Sequence, residues 1–318
     1  MFDVITIGSA TVDVFAKVSK GFKEINAGDK VLVNDLKFET GGGGLNSAVA
    51  LQKMGLKTAF LGKLGHDLNA FKIIHELQKE RVRIIRTEPA EAKTSYSFIL
   101  ESSKQKDRVI YTHKGASDYL SIHEIDIKKL NTKWIYMATM LKQSFKTCEK
   151  IAQFAKKSKI NLMFNPSTYL AAKGKNNLKK ILDAATILVL NKSEAKLLLK
   201  TKNNNIDYLL ESLKRLGPKI VVITEGPKGM HAYNGTYSYF MHAYKVKVIS
   251  VAGAGDAFAS GFLAGMHKKE DIAHALELGM ANAASVIQYY GTKNKLLTYK
   301  EALDFIKKNK NRIVKKRL

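Results

Sequence analysis

Ile187-Leu188-Val189-Leu190-Asn191-Lys192-Ser193-Glu194 reads as a strand that runs directly into a helix. Four apolar residues in succession, with no polar alternation, fit a strand covered on both faces. Asn191 then stands where a helix wants its N-terminal cap, and Glu194, three residues on, can reach back to it. The same unit recurs on either side. Residues 134–138, 161–165 and 219–224 are further short apolar runs, and helical patterns separate them. This alternation predicts a parallel sheet with helices on both faces, an α/β fold. Residues 2–7, ended by Gly8, and residues 58–62 read as two more strands of the same kind.

Other segments do not share that rhythm. Residues 30–38 alternate, and residues 94–100 and 108–112 flank a polar loop. They are expected to form a small β-sheet that stands off the main body as a lid, built from segments near 14–39 and 94–115. Residues 229–244 read as a hairpin with a type I′ turn at Asn234-Gly235. Helices are expected over residues 46–54 (closed by Gly55), 67–79 (capped by Asp67), 256–267 and 271–290. No long repeat or low-complexity linker divides the chain, so residues 1–318 are read as one domain.

The chain is 45% apolar and 25% charged, which suits a globular protein with a substantial core. The one cysteine, Cys148, excludes an internal disulfide and suits a reducing cytosol. No apolar run approaches the ~20 residues of a membrane span, and no signal segment is visible at the start. A cytoplasmic protein with no membrane partner is expected. The net charge of +25 raises the question of nucleic acid. The lysines are spread over the chain and fall mostly on predicted helix faces. The densest patch, residues 307–317, has no aromatics interleaved to stack bases and is expected to fray. Nucleic acid is therefore not expected as a partner.

The chemistry is concentrated in Ser250-Val251-Ala252-Gly253-Ala254-Gly255-Asp256-Ala257-Phe258. Glycines let backbone approach a ligand, and a helix start presents unsatisfied N–H groups to an anion. A carboxylate in the same turn adds a base. An anion pocket with a base is what phosphoryl transfer to an alcohol needs. Other polar residues fall at predicted strand ends, where parallel sheets hold ligands. These are Asp13, the run Gly41 to Asn46, Asn165, Asn191 and Thr224-Glu225-Gly226. Each has a plainer reading. Asn191 and Glu194 make a helix cap, Asp256 sits at the positive end of a helix dipole, and Asp13 suits a turn. His66, His113 and His242 lack metal-ligand spacing and read as surface or packing residues.

Taken together, these segments resemble the ribokinase-like (PfkB) carbohydrate kinase family over nearly the whole chain. The glycine-rich segment ending in Asn matches Gly41 to Asn46. Gly-Ala-Gly-Asp matches Gly253 to Asp256. Between them, Asn-x-x-Glu matches Asn191 and Glu194, and Thr-x-Gly matches Thr224 and Gly226. The resemblance implies a three-layer α/β/α fold with a central, mostly parallel sheet and a β-sheet lid. It implies an ATP-dependent kinase that moves the γ-phosphoryl group to a sugar hydroxyl; a nucleoside (adenosine-type) or sugar-phosphate acceptor is the alternative.

The roles carry over by position. Asp256 would take the proton from the hydroxyl, and Gly253, Ala254 and Gly255 would supply the anion hole. Asp13, Gly42, Gly43 and Asn46 would hold sugar hydroxyls. Thr224, Gly226, Asn191 and Asn282 would contact the nucleotide, and Asn191 and Glu194 would organise Mg²⁺ through water. A homodimer through the lid is also implied. Two positions depart from the family. Ser250-Val251 replace the frequent Asp-Thr, so a K⁺ site is not implied. Gly43 replaces the lysine usual in ribokinases, which weakens ribose as the acceptor. Two other readings stay open: a non-catalytic sugar or nucleotide sensor on the same fold, and a nucleic-acid binder led by the basic tail.

Overall fold

Burial on both faces turns the apolar runs into sheet. In the computed structural model, which describes residues 1–318 with the Lys129 side chain excepted, the strands follow in chain order. They are β1 (Phe2–Ile7), β2 (Thr11–Val18), β3 (Asp35–Gly41), β4 (Thr58–Leu61), β5 (Arg83–Ile84), β6 (Ser95–Ser102) and β7 (Asp107–His113). Then come β8 (Thr132–Ala138), β9 (Asn161–Asn165), β10 (Ile187–Asn191), β11 (Ile220–Thr224), β12 (Met230–Tyr233), β13 (Tyr237–Met241) and β14 (Ile313–Arg317). Among the described residues one sheet has ten strands, in the order β14-β13-β12-β11-β10-β9-β8-β1-β4-β5, and a second has four, in the order β3-β2-β6-β7. The large sheet is parallel from β5 to β11 and antiparallel from there to β14.

The helices are α1 (Gly43–Lys53), α2 (Leu68–Lys79), α3 (Lys142–Lys157), α4 (Thr168–Ala171), α5 (Lys175–Leu182), α6 (Lys192–Leu199) and α7 (Ile206–Lys214), followed by α8 (Ala254–Lys269), α9 (Ile272–Val286) and α10 (Tyr299–Lys308). They cover both faces. Ile5, Ile7, Leu188 and Ile223 pack with α3 to α7 on one side. Val4, Met163, Val189 and Val222 pack with α1, α8, α9 and α10 on the other. Side chains of one strand thus feed two cores, as period-two alternation requires. A third cluster joins α1 and α2 to β2 of the small sheet through Val12, Val14, Val49 and Ile73.

Several boundaries differ from expectation. The first lid strand is β2, immediately after β1, and Asp13 lies on it rather than in a turn. Residues 30–34 are not strand; β3 starts at Asp35 and is set by its antiparallel register with β2. Helix α1 begins at Gly43, inside the glycine run, because Gly44 lies against Gly8: a Cβ on either would come within 2.7 Å of the other's backbone. Helix α9 stops at Val286, four residues short of Tyr290. The Ile287 carbonyl accepts the N–H groups of Ile249 (2.8 Å) and Ser250 (3.2 Å), tying the helix end to the segment before α8. The Asn234-Gly235 turn is wider than type I′. Only Gly235 has positive φ (+98°), and Asn234 Oδ1 accepts from the N–H groups of Thr236 (3.0 Å) and Tyr237 (2.8 Å).

The basic tail does not fray. It folds back as β14 along β13, with Lys316 Nζ 2.7 Å from Asp207 Oδ2. Lys315 also stacks, its Nζ lying 4.2 Å from the Tyr237 ring centre. The expectation failed because the strand is fixed by its ladder with β13 and by contacts of Lys315 and Lys316 that a run of basic residues does not announce.

Candidate active site

A cavity of about 370 Å³ opens at the carboxyl ends of the parallel strands, under the small sheet. Its floor is made by strand ends and the residues just beyond them: Ala138 and Thr139, Asn165, Asn191 and Thr224. Gly42 and Gly43 form one wall, and Gly255 and Asp256 another. The small sheet supplies the roof from Thr11, Ser95, Ser97 and Thr112. The glycine run is therefore an ordered wall and not a linker. Gly42 has φ +95°, and a Cβ there would come within 2.5 Å of the Ser9 carbonyl, which accepts the Gly44 N–H at 3.1 Å.

Asp256 stands on the first turn of α8. Gly253 caps that helix at φ +78°, where a Cβ would lie 2.2 Å from the Thr292 carbonyl. The Ala254 N–H turns back to Val251 O at 3.3 Å. The next N–H groups, those of Gly255 and Asp256, belong to residues that line the cavity, and a first helical turn offers them no internal acceptor. The Asp256 carboxylate is anchored from behind: Asn46 Nδ2 donates to its Oδ2 at 2.8 Å, and Thr292 Oγ1 donates to Asn46 Oδ1 at 3.0 Å. Burial pushes the carboxyl up to about 6, against the Asn46 hydrogen bond and the charge of Lys293, which pull it down. Lys293 itself donates to the Thr40 carbonyl and to Thr40 Oγ1 (3.0 Å).

Asn46 is thus 4% exposed with both amide functions engaged, and it does not line the cavity. In this structure it anchors the Asp256 carboxylate. Asp13 shares the face of Thr11 on β2 and stands in register with Ser97, without lining the cavity itself. Burial raises its carboxyl, while Ser97, Lys293, Thr11 and Lys114 oppose that rise. Gly41 makes room for it, since a Cβ there would fall 2.1 Å from Asp13 Oδ2.

A groove of about 740 Å³ adjoins the cavity, and the two share Asn191 and Thr224. Lys192, Ser193, Glu225, Gly226 and Lys228 line the groove. The capping reading of Asn191 holds in full. Its Oδ1 accepts the Glu194 N–H (2.9 Å), and Glu194 Oε2 accepts the Asn191 N–H (3.0 Å). Glu194 Oε1 accepts a long hydrogen bond from Thr168 Oγ1 at 3.4 Å, and the Thr168 backbone also bonds the carboxylate. Asn282 does not reach the groove. It is fully buried on α9, donating to Ala257 O (2.9 Å) and accepting from Leu297 N–H (3.0 Å). In this structure its amide is turned to Ala257 and Leu297 and not to the groove.

The profile of the pfkB family carbohydrate kinases matches residues 1–298. The chain belongs to this family. It is a carbohydrate kinase, a phosphotransferase with an alcohol group as acceptor. It is 29% identical over 306 residues to the ribokinase of Staphylococcus aureus (strain COL), covering 91% of this chain and 95% of that protein. It is 29% identical over 329 residues to the 5-dehydro-2-deoxygluconokinase of Clostridium botulinum (strain Eklund 17B / Type B), covering 97% and 94%. In fold it is similar to the nucleoside kinase of Methanocaldococcus jannaschii, described as an archaeal member of the ribokinase family. That match has a TM-score of 0.80 at 24% identity and covers 96% of this chain and 99% of the other.

Sequence reasoning missed part of this kinase's site. Thr292 and Lys293 follow α9 in a segment with no regular pattern, and only their contacts with Asn46 and Thr40 give them meaning. The roof hydroxyls of Ser95, Ser97 and Thr112 could have been found from the strand alternation, which puts Ser95 and Ser97 on one face.

Proposed function

We propose that this kinase uses ATP and that Asp256 is the base that deprotonates a hydroxyl of a sugar acceptor. The observation that carries this is the junction itself. Asp256 stands at the edge of a cavity sized for a small polyol, next to unsatisfied helix N–H groups, and the cavity opens into a second groove at Asn191 and Thr224. The acceptor would lie between Gly42, Gly43 and the roof hydroxyls, with Asp13 completing the roof. The donor phosphates would approach along the groove past Thr224 and Gly226. The N–H groups of Gly255 and Asp256 would steady charge on the transferring group, with Gly253 and Ala254 shaping the turn that presents them. A carboxyl near 6 is mostly ionised at pH 7 yet still basic enough to take a proton.

Mg²⁺ fits where the cavity and the groove meet. Glu194 lines the cavity with Oε1 held only by Thr168, and a hard cation with a full water shell needs few protein ligands. Asn191, whose oxygen already accepts a hydrogen bond, would act through water. Bound there, the metal would offset phosphate charge. The absence of Asp-Thr at residues 250–251 gives no support to a K⁺ site.

The relatives' names include a ribokinase and a 5-dehydro-2-deoxygluconokinase, so neutral sugars and sugar acids are both candidate acceptors; nucleosides and sugar phosphates are the alternatives. We also propose that residues 1–318 act as one kinase domain, in the cytoplasm, as a homodimer through the lid. Exposed Leu36 and Phe38 on β3, and Ile110 and Tyr111 on β7, sit on the lid's two edge strands and support that pairing. No helix of the structure is long and apolar enough to cross a membrane. A coupled assay of ADP release over pentoses, hexoses, nucleosides and their phosphates tests the reading. Acceptor-dependent ADP release is expected; none with any acceptor would refute it.

A further inference from the structure

We propose that the acceptor carries an anionic group, a carboxylate or a phosphate, and that Lys114 of the lid receives it. The inference rests on the kinase reading above and names the class of its acceptor.

Lys114 follows β7 and lines the cavity beside Ser95, Ser97 and Thr112. Its side chain reaches from the lid toward the body, with Nζ 5.1 Å from the ring centre of Tyr169 on α4. Its backbone is fixed. Ser95 Oγ donates to the Lys114 carbonyl and lies 2.6 Å from Ser117 Oγ, while Gly115 turns at φ +46° where a Cβ would lie 2.1 Å from Lys93 O. The side chain thus starts from a fixed point on the cavity wall, with the Tyr169 ring beside its ammonium.

It has no anionic partner of its own. Among the described residues no carboxylate lies within 4 Å of it. The two that act on it electrostatically are Asp118 and Asp13. Asp118 already pairs with Lys142 at 3.0 Å, and Asp13 is held by Ser97 and Thr11. Among the described residues, three other inward-facing lysines have hydrogen-bond partners, anionic ones in two cases. Lys63 pairs with Glu124, Lys192 with Glu225 at 2.9 Å, and Lys293 with two Thr40 oxygens. Burial accordingly pushes the Lys114 ammonium down. An unmatched cation withdrawn from water is costly, and one aromatic face offsets only part of that cost. Neutral hydroxyls surround it on the roof, suited to a polyol but supplying no charge. A carboxylate or phosphate on the acceptor completes the wall.

The test compares wild type with Lys114→Met, which keeps the stem and loses the charge, and Lys114→Arg, which keeps the charge. D-gluconate, D-fructose 6-phosphate and D-ribose 1-phosphate are set against D-ribose, D-fructose and adenosine. ADP release gives kcat/KM, and calorimetry without nucleotide gives binding. Wild type is expected to favour an anionic acceptor. Lys114→Met should reduce that preference by roughly 10–100-fold, as loss of a charged hydrogen bond does, and Lys114→Arg should restore most of it. Preference for gluconate assigns a carboxylate, and preference for a sugar phosphate assigns a phosphate. Wild-type preference for neutral acceptors, or unchanged anion preference in Lys114→Met, overturns the proposal. If nothing is phosphorylated but an anionic sugar binds wild type and not Lys114→Met, the kinase reading falls and the subsite stands. If no anionic sugar binds wild type, the subsite falls with it.

Discussion

Asn46→Ala should move the pH dependence of this kinase. Asn46 Nδ2 donates at 2.8 Å to Asp256 Oδ2, and that bond favours the ionised carboxylate. The carboxyl, lifted by burial to about 6, would be higher still without it. A hydrogen bond to a charged group contributes about 1.5–3 kcal/mol, and a tenfold change in ionisation costs about 1.4 kcal/mol. The acid limb of kcat/KM should therefore move from near 6 to about 7–8. Because the base works when deprotonated, the direction is fixed: activity is lost at lower pH and recovered at higher pH. At pH 7 the variant should lose roughly two- to tenfold from ionisation alone, a deficit that disappears by about pH 9. Any residual deficit there reports mispositioning. Initial rates from pH 5 to 9, with folding checked by circular dichroism, make the measurement. A folded variant whose acid limb stays put, or moves down, would refute the assignment of the limb to Asp256.

Three further outcomes follow from the same contacts. Thr292→Val removes the donor that orients the Asn46 amide, so its oxygen can swing toward Asp256; kcat/KM should fall roughly 3–10-fold, and wild-type rates would contradict the relay. Asp256→Asn should raise folding stability at pH 7.5 by about 1–3 kcal/mol, measured by urea denaturation. A carboxyl whose folded pKa lies above its ordinary 3.8 destabilises the fold increasingly as pH rises from about 4 past 6, so the gain should vanish near pH 3.5. Truncation after Lys310 uncovers the edge of β13 and should lower Tm and promote self-association on size exclusion, and a truncated chain with unchanged Tm and size would return the tail to the frayed state.

The central strands were legible because burial on both faces leaves no polar interruption: the strands at 161–165 and 187–191 are apolar runs closed by asparagines. The lid was harder. Thr11–Val18 alternates cleanly, but it follows β1 with only Gly8-Ser9-Ala10 between, and a strand that leaves one sheet for another looks like a continuation of the first. Site residues on strand ends and helix starts, such as Thr224 and Asp256, could be placed by topology alone. Asn46 and Asn282 could not be sorted that way. Both are asparagines on helices near the site, and what separates a residue that orients the base from one that fastens two helices is the partner of each amide, fixed only by packing.

The account stands on Asp256 as the base, and the most direct test is the turnover of Asp256→Asn with the acceptor that wild type phosphorylates fastest. Saturating initial rates should fall by roughly 10²–10⁴ while acceptor affinity, read by calorimetry, is retained. Turnover within a few-fold of wild type in the folded variant would contradict it.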